Sequence, residues 1–194
     1  MRTKEIKLYQ LNELSEEIQK KVLERFTSDD SFMLDDWYEP IIEEFKQEMQ
    51  TDYGCNVDEV YFSGFCSQGD GASFIGNVGI KDYLTATGLK TKYKSLSKYI
   101  EEYSPQVVIT HSGHYSHEYC MNFEDEYFNE GTEKQTNLLY SILDDISDTF
   151  RNEAKKLYKK LEDEYEYLMS EENVKNELIG GEYEFLEDGT QPNF

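Results

Sequence analysis

From Thr132 to about Met169 the apolar residues Leu139, Ile142, Leu143, Ile146, Phe150, Ala154, Leu157, Leu161 and Leu168 return every three or four positions. That period is the period of an α-helix with one apolar stripe, so the spacing predicts one long amphipathic helix, or two joined at a bend. Charged residues fill the rest of the segment, which rules it out as a membrane span. A stripe of this length is stable only when it lies against another apolar surface, and the remainder of the chain has to provide one.

The stretches "VDEVYFSGF" and "ASFIGNVGI" are rich in β-branched and aromatic residues and read as strands; "QVVIT" after Pro105 is the clearest β signal, and "EYCMNFEDEYF" reads as its partner. "KEIKLYQL" near the start alternates, with Ile6 and Leu8 on one side, and reads as a short first strand. Ser15 stands where a helix N-cap is wanted, ahead of Glu16 and Glu17, and Ile18, Val22 and Phe26 carry that helix to about Thr27 before "SDDSF" breaks it. A second helix places Trp37, Ile41, Ile42, Phe45 and Met49 on one face, tolerates Pro40 in its first turn, and ends at Gly54. Two helical pieces split by Gly88 lie between Ile80 and Tyr103, the second with Tyr93, Leu96, Tyr99 and Ile100 on one face. Ser170 caps a short last helix that Gly180 and Gly181 end. The order of elements predicts an α+β fold: an antiparallel four- to five-stranded sheet of hairpins covered by helices, with a long C-terminal amphipathic helix. Residues 1–194 read as one domain with a loose tail from about 187.

At 194 residues the chain is long enough to bury a core, and 16 tyrosines and 11 phenylalanines offset an apolar fraction of 38%. The formal charge of -22 opposes binding to nucleic acid and to anionic membranes, whose phosphates it repels, and favours partners with basic surfaces. Cys55, Cys66 and Cys120 are odd in number and form no CxxC pair, which fits free thiols in a reducing compartment. With no apolar leader in "MRTKEIKLYQLNEL", the expected location is cytoplasmic.

Two strings carry the candidate chemistry. In "SGFCSQGDGASF" (63–74), Asp70–Gly71 between strand-like runs predicts a hairpin with a type I′ turn. Gln68, Gly69, Asp70, Gly71 and Ser73 then stand at a tip where glycines let a ligand or another backbone approach. The run "HSGHYSHEYC" (111–120) holds every histidine of the chain and predicts a second hairpin, with His111 and His117 near the strand ends and His114 at its tip. His111, His114, His117 and Glu118 have types suited to a divalent metal, although Gly113 argues against the helix that usually presents such a spacing; no cofactor is expected. If two helical crossings separate the hairpins, both tips fall at one end of the sheet and these residues share a site. From Ile80 to Ile100, Lys81, Lys90, Lys92, Lys94 and Lys98 face one acid, Asp82. The segment reads as an anion-facing lobe or, the expectation here, as a helix paired with acidic neighbours.

The strings "YFSGFCSQGDGASF", "HSGHYSHEY" and "EYEYLMSEENVKNELIGGEYEFLEDG" resemble a family of small bacteriophage proteins, mostly uncharacterised and sometimes labelled antitoxin-like. The resemblance implies a bacterial host cytoplasm and an accessory role in infection. With the acidic charge it leads to the expectation of an inhibitor of a host defence protein that has a basic surface, of the anti-CRISPR or anti-restriction type, acting by nucleic-acid mimicry. The alternatives are a small-ligand protein or enzyme acting on a nucleotide immune signal through the two hairpins, and an antitoxin. No nucleophile–base pair is demonstrable, which favours the non-enzymatic reading.

Overall fold

Local signals at the helix ends and the strand alternation set the element order. In the computed structural model, which describes residues 5–28 and 36–192, the elements are β1 (Tyr9–Gln10), α1 (Glu16–Thr27), α2 (Glu39–Tyr53), β2 (Cys55–Ser63), β3 (Gly71–Gly79), α3 (Ile80–Ala86), α4 (Ser97–Tyr103), β4 (Gln106–His111), β5 (Met121–Glu126), α5 (Glu133–Leu168), α6 (Glu171–Gly180) and β6 (Glu184–Phe185). Short 3-10 turns fill several of the joints. The break expected at "SDDSF" lies, after Ser28, outside the described residues. Gly54 ends α2 in the left-handed conformation, φ 66°, and its N–H reaches the Gln50 carbonyl at 3.1 Å. Thr132 and Gln135 open α5 with a reciprocal box: the Thr132 N–H donates to Gln135 Oε1 at 2.9 Å, and the Gln135 N–H donates to Thr132 Oγ1 at 3.4 Å. Its 36 residues form one continuous helical element, the first of the two expected alternatives. The fold class is the α+β one expected.

The chain forms two compact units, residues 1–37 with 163–194, and residues 38–162. In the second unit a four-stranded sheet runs in the order β2-β3-β4-β5, each neighbour antiparallel. Registers of Val60 with Phe74, Gly76 with Ile109 and Ile109 with Phe123 set one face of the sheet. That face is the core. Phe150 of α5 is fully buried, with its ring 5.9 Å from Phe74, 5.7 Å from Tyr53, 6.3 Å from Tyr83 and 6.4 Å from Phe123. Leu139, Ile142, Ile146, Ala154, Leu157 and Leu161 extend the same buried stripe, while Leu143 is half-buried at its margin. At Gly76 the strands approach so closely that a Cβ would meet the Asn56 carbonyl oxygen at 2.0 Å, and a β-bulge follows in β2 between Val57 and Glu59.

In the first unit Leu11, Leu14, Val22, Leu23, Phe26, Val174, Leu178 and Phe185 form the core. The alternation at "KEIKLYQL" overstates the strand there. Among the described residues of that run only Tyr9 and Gln10 pair, with Phe185 and Glu184, in a separate two-stranded ladder. Ile6 is exposed, and Leu11 begins a 3-10 turn that buries it fully, which ends the extended run. The segment read as a tail from about 187 is, up to Thr190, a closed turn. The Leu186 N–H donates to the Thr190 carbonyl at 2.8 Å, and Arg25 donates to the Gly189 carbonyl at 2.9 Å. Among the described residues no helix is long and apolar enough to cross a membrane.

Charge is distributed unevenly. Lys20, Lys21, Lys46, Lys155, Lys156, Lys159 and Lys160 each have a carboxylate within 4.0 Å. The pairing expected for the segment Ile80–Ile100 is absent: Lys81, Lys90, Lys92, Lys94 and Lys98 are exposed and make no ion pair among the described residues. These side chains project from short, tightly turned pieces into solvent instead of across a helix–helix contact.

Candidate functional site

Because β2 and β4 flank β3 and both are antiparallel to it, they run the same way, and the two hairpin tips lie at one end of the sheet. The tips touch. A Cβ on Gly69 would stand 2.5 Å from the Tyr115 ring, and one on Gly71 would stand 2.5 Å from the His117 Cα. Both glycines are there because the second hairpin occupies the space a side chain needs.

The first tip is not a type I′ turn. Ser63 pairs directly with Gly71, so the reversal takes the seven residues 64–70, and positive φ falls on Gly64 and Gly69 instead of on Asp70 and Gly71. The reason lies in the Asp70 carboxylate, which draws the loop around itself. It accepts hydrogen bonds from the backbone N–H groups of Ser67 and Cys66 and from the Ser63 hydroxyl. The bond from Ser67 chiefly, and those from Cys66 and Ser63, hold this carboxyl below the usual aspartate range. The loop is also tied to α5: the Phe65 ring lies 5.5 Å from that of Tyr158, whose hydroxyl donates to the Gly64 carbonyl at 3.1 Å. Gln68 is exposed on this loop.

The second tip is built from stacked rings. His111 stacks on Tyr61 at 4.6 Å and 27°, and its Nε2 lies 2.9 Å from the Tyr115 carbonyl, an acceptor, so the proton belongs on Nε2. His117 Nδ1 accepts the Tyr119 N–H at 3.2 Å, and its ring lies 5.8 Å from that of Tyr115 at an interplanar angle of 18°. Cys120, buried, places Sγ 3.7 Å from the same Nδ1. His114 is exposed at the tip beside Gly113, whose φ is 98°. Ser73, opposite Tyr61 in the register, is fully buried, and its Oγ has no hydrogen-bond partner among the described residues.

Candidate residues from both strings thus come together at one end, with their polar groups largely committed to shaping the tips. Among the described residues no three His, Cys, Asp or Glu side chains gather as metal donors. Glu118, grouped with the histidines by sequence, pairs instead with Lys155 of α5 at 3.2 Å. Lys155 also sits 5.3 Å above the Tyr119 ring. Arg151 lies 5.2 Å above Phe123, and its buried Nε has no hydrogen-bond partner among the described residues. Sequence reasoning missed Tyr61, Tyr115, Tyr119, Arg151 and Lys155. The density of tyrosines around the histidine run was the available signal; that α5 reaches this end of the sheet is a tertiary fact.

A family model described as a domain of unknown function, DUF8835, matches residues 37–171. The chain belongs to the DUF8835 family. The matched span takes in both DUF8835 hairpins, the lysine-bearing pieces and the whole of α5. No curated protein and no solved structure matches the chain.

Proposed function

We propose that this DUF8835 protein acts by binding: an acidic phage accessory protein that docks on the basic surface of a host defence protein and blocks its nucleic-acid site. One observation carries the reading. On the sheet face turned away from α5, the register sets Glu59 on one edge strand, β2, and Glu124 and Glu126 on the opposite edge strand, β5, all exposed, so that carboxylates border the face on both sides. Neutral donors hold them in place: the Tyr61 hydroxyl donates to Glu59 at 2.7 Å, the Thr110 hydroxyl to Glu124 at 3.2 Å, and the Gln106 amide to Glu126. No cation neutralises these three among the described residues, so the face keeps its charge while its carboxylates are already oriented. Such an array favours fast, salt-sensitive association with a basic partner.

The test is inhibition and binding of nucleic-acid-directed host defence enzymes, with the triple variant E59Q/E124Q/E126Q beside the wild type. A partner whose affinity falls with rising salt, and drops at least about tenfold for the variant, supports the reading. Equal binding by variant and wild type sinks it. The meeting of the two tips favours a second reading, a small-ligand site at that end. There D70N and H114A remove ligand binding while the acidic-face variant leaves it intact.

A further inference from the structure

Two of the five exposed lysines of the segment Ile80–Ile100, Lys81 and Lys90, border a cavity. Lys81 and Leu84 of α3, Lys90 and Tyr93 of the connecting turns, and Ser97, Ile100 and Glu101 of α4 line a space of about 210 Å³. Leu84, Tyr93 and Ile100 are buried and form an apolar, aromatic floor, while Lys81 and Lys90 are exposed at its rim. The Lys92 ammonium lies 4.9 Å over the Tyr93 ring, so positive charge also stands on that side. Lys94 and Lys98 add to the local field without lining the cavity. In a chain of net charge -22, the two cavity lysines have no carboxylate within 4.0 Å among the described residues, and they are the ones that share their position with an apolar floor. Glu101 lines the same space yet makes no ion pair with either lysine.

From this geometry we infer a binding site for a small phosphomonoester with a flat or apolar body: the phosphate between Lys81 and Lys90, the body over Leu84, Tyr93 and Ile100, and Glu101 as acceptor for a ligand hydroxyl or amine. The volume is below that of pockets for drug-sized ligands, which limits the occupant to one phosphate and one ring or a short chain. Lysine acts here as a compact point charge, which suits a phosphate that needs no fixed bidentate plane. This site uses none of the residues of the acidic sheet face and stands or falls independently of the proposed docking.

The probes are phenyl phosphate, inorganic phosphate and phenol, titrated into the ¹⁵N-labelled full chain and followed by amide shifts. Phenyl phosphate is expected to bind more tightly than inorganic phosphate and to move the amides of residues 81–101, with phenol silent. K81Q/K90Q weakens it at least about tenfold, whereas K94Q/K98Q, with the same loss of charge, changes it by no more than about twofold. Both variants should retain the wild-type pattern of β2–β5 amides. Equal weakening by the two pairs would mean diffuse surface charge, and phenol binding as well as phenyl phosphate would mean a plain apolar cleft. Either result overturns the proposal, as does silence of phenyl phosphate at millimolar concentration or binding of long polyanions only.

Discussion

Gly71 tests the meeting of the hairpin tips through the sign of a stability change. Its φ is not positive, so alanine fits the backbone there without strain. In a tip free of neighbours, Gly71→Ala would stabilise by about 0.4–1 kcal/mol, because the unfolded chain loses freedom. The structure places the new methyl 2.5 Å from His117 Cα, 2.7 Å from its Cβ and 3.2 Å from its N. Carbon atoms in contact sit at about 3.5–4.0 Å, so roughly 1 Å must be recovered by moving one hairpin away from the other. Two of the three atoms struck are backbone, and the His117 Nδ1 bond to the Tyr119 N–H ties that backbone down. Overpacking of this kind costs about 1–3 kcal/mol, more than the entropic gain, and the net change is destabilising. Urea unfolding followed on the amides of β2–β5 by NMR reads the change in the unit that carries it. Gly180→Ala supplies the opposite sign: a Cβ there meets nothing within 4 Å, at the end of α6, and the substitution should gain up to about 1 kcal/mol on α6 amides. A Gly71→Ala protein as stable as the wild type, or more so, would refute the contact and with it the shared site.

Two further outcomes follow from burial and charge. Cys66 is exposed, Cys120 is buried, and burial, aided by Asp58, pushes the Cys55 thiol up to about 12; a disulfide reagent at mildly alkaline pH should therefore modify one thiol rapidly in the native protein and three after unfolding, and rapid modification of Cys55 would contradict its placement. Asp70 has a lowered folded-state pKa, so the stability it contributes is present above its unfolded value, about 3.9, and is lost as pH falls through the depressed folded value. Its carboxyl ¹³C shift and the Cys66 and Ser67 amides should titrate together below the ordinary aspartate range; titration at or above that range would count against the staple.

What was legible in the sequence were features set within a few residues or by strict period. The apolar return along α5, the β-branched runs of β2, β3 and β4, and the left-handed Gly54 depend on local conformation and a single buried face, and each stands where its residues predict. The direction of the tips was legible too, once two crossings were allowed between the hairpins. The turn chemistry was not, because Asp-Gly is ambiguous: the same carboxylate that favours a tight turn also caps a wider loop when free N–H groups lie three and four residues before it. The short first strand failed for a different reason. Alternation at Ile6 and Leu8 sets two faces but no partner, and the partner, Phe185, lies at the far end of the chain.

The lysines expose the limit of arguing from net charge. With 41 acids against 19 bases, pairing is the expected state of any lysine, and on α1, α2 and the middle of α5 helical spacing or a facing helix delivers it. Between Ile80 and Ile100 the sequence sets no acid three or four residues from Lys81, Lys90, Lys92 or Lys94, Lys98 makes no ion pair with the Glu101 and Glu102 that stand at that spacing on α4, and the packed side of α4 carries Tyr99 and Ile100 instead of acids. A local field of opposite sign to the whole therefore survives around a cavity, while at the sheet face neutral donors preserve the prevailing sign around Glu59, Glu124 and Glu126. Charge-neutral variants separate the two surfaces. A partner held by the acidic face should lose at least about tenfold in affinity for E59Q/E124Q/E126Q and bind K81Q/K90Q as it binds the wild type. The reverse pattern would assign the partner to the lysines and transfer the docking role from one surface to the other.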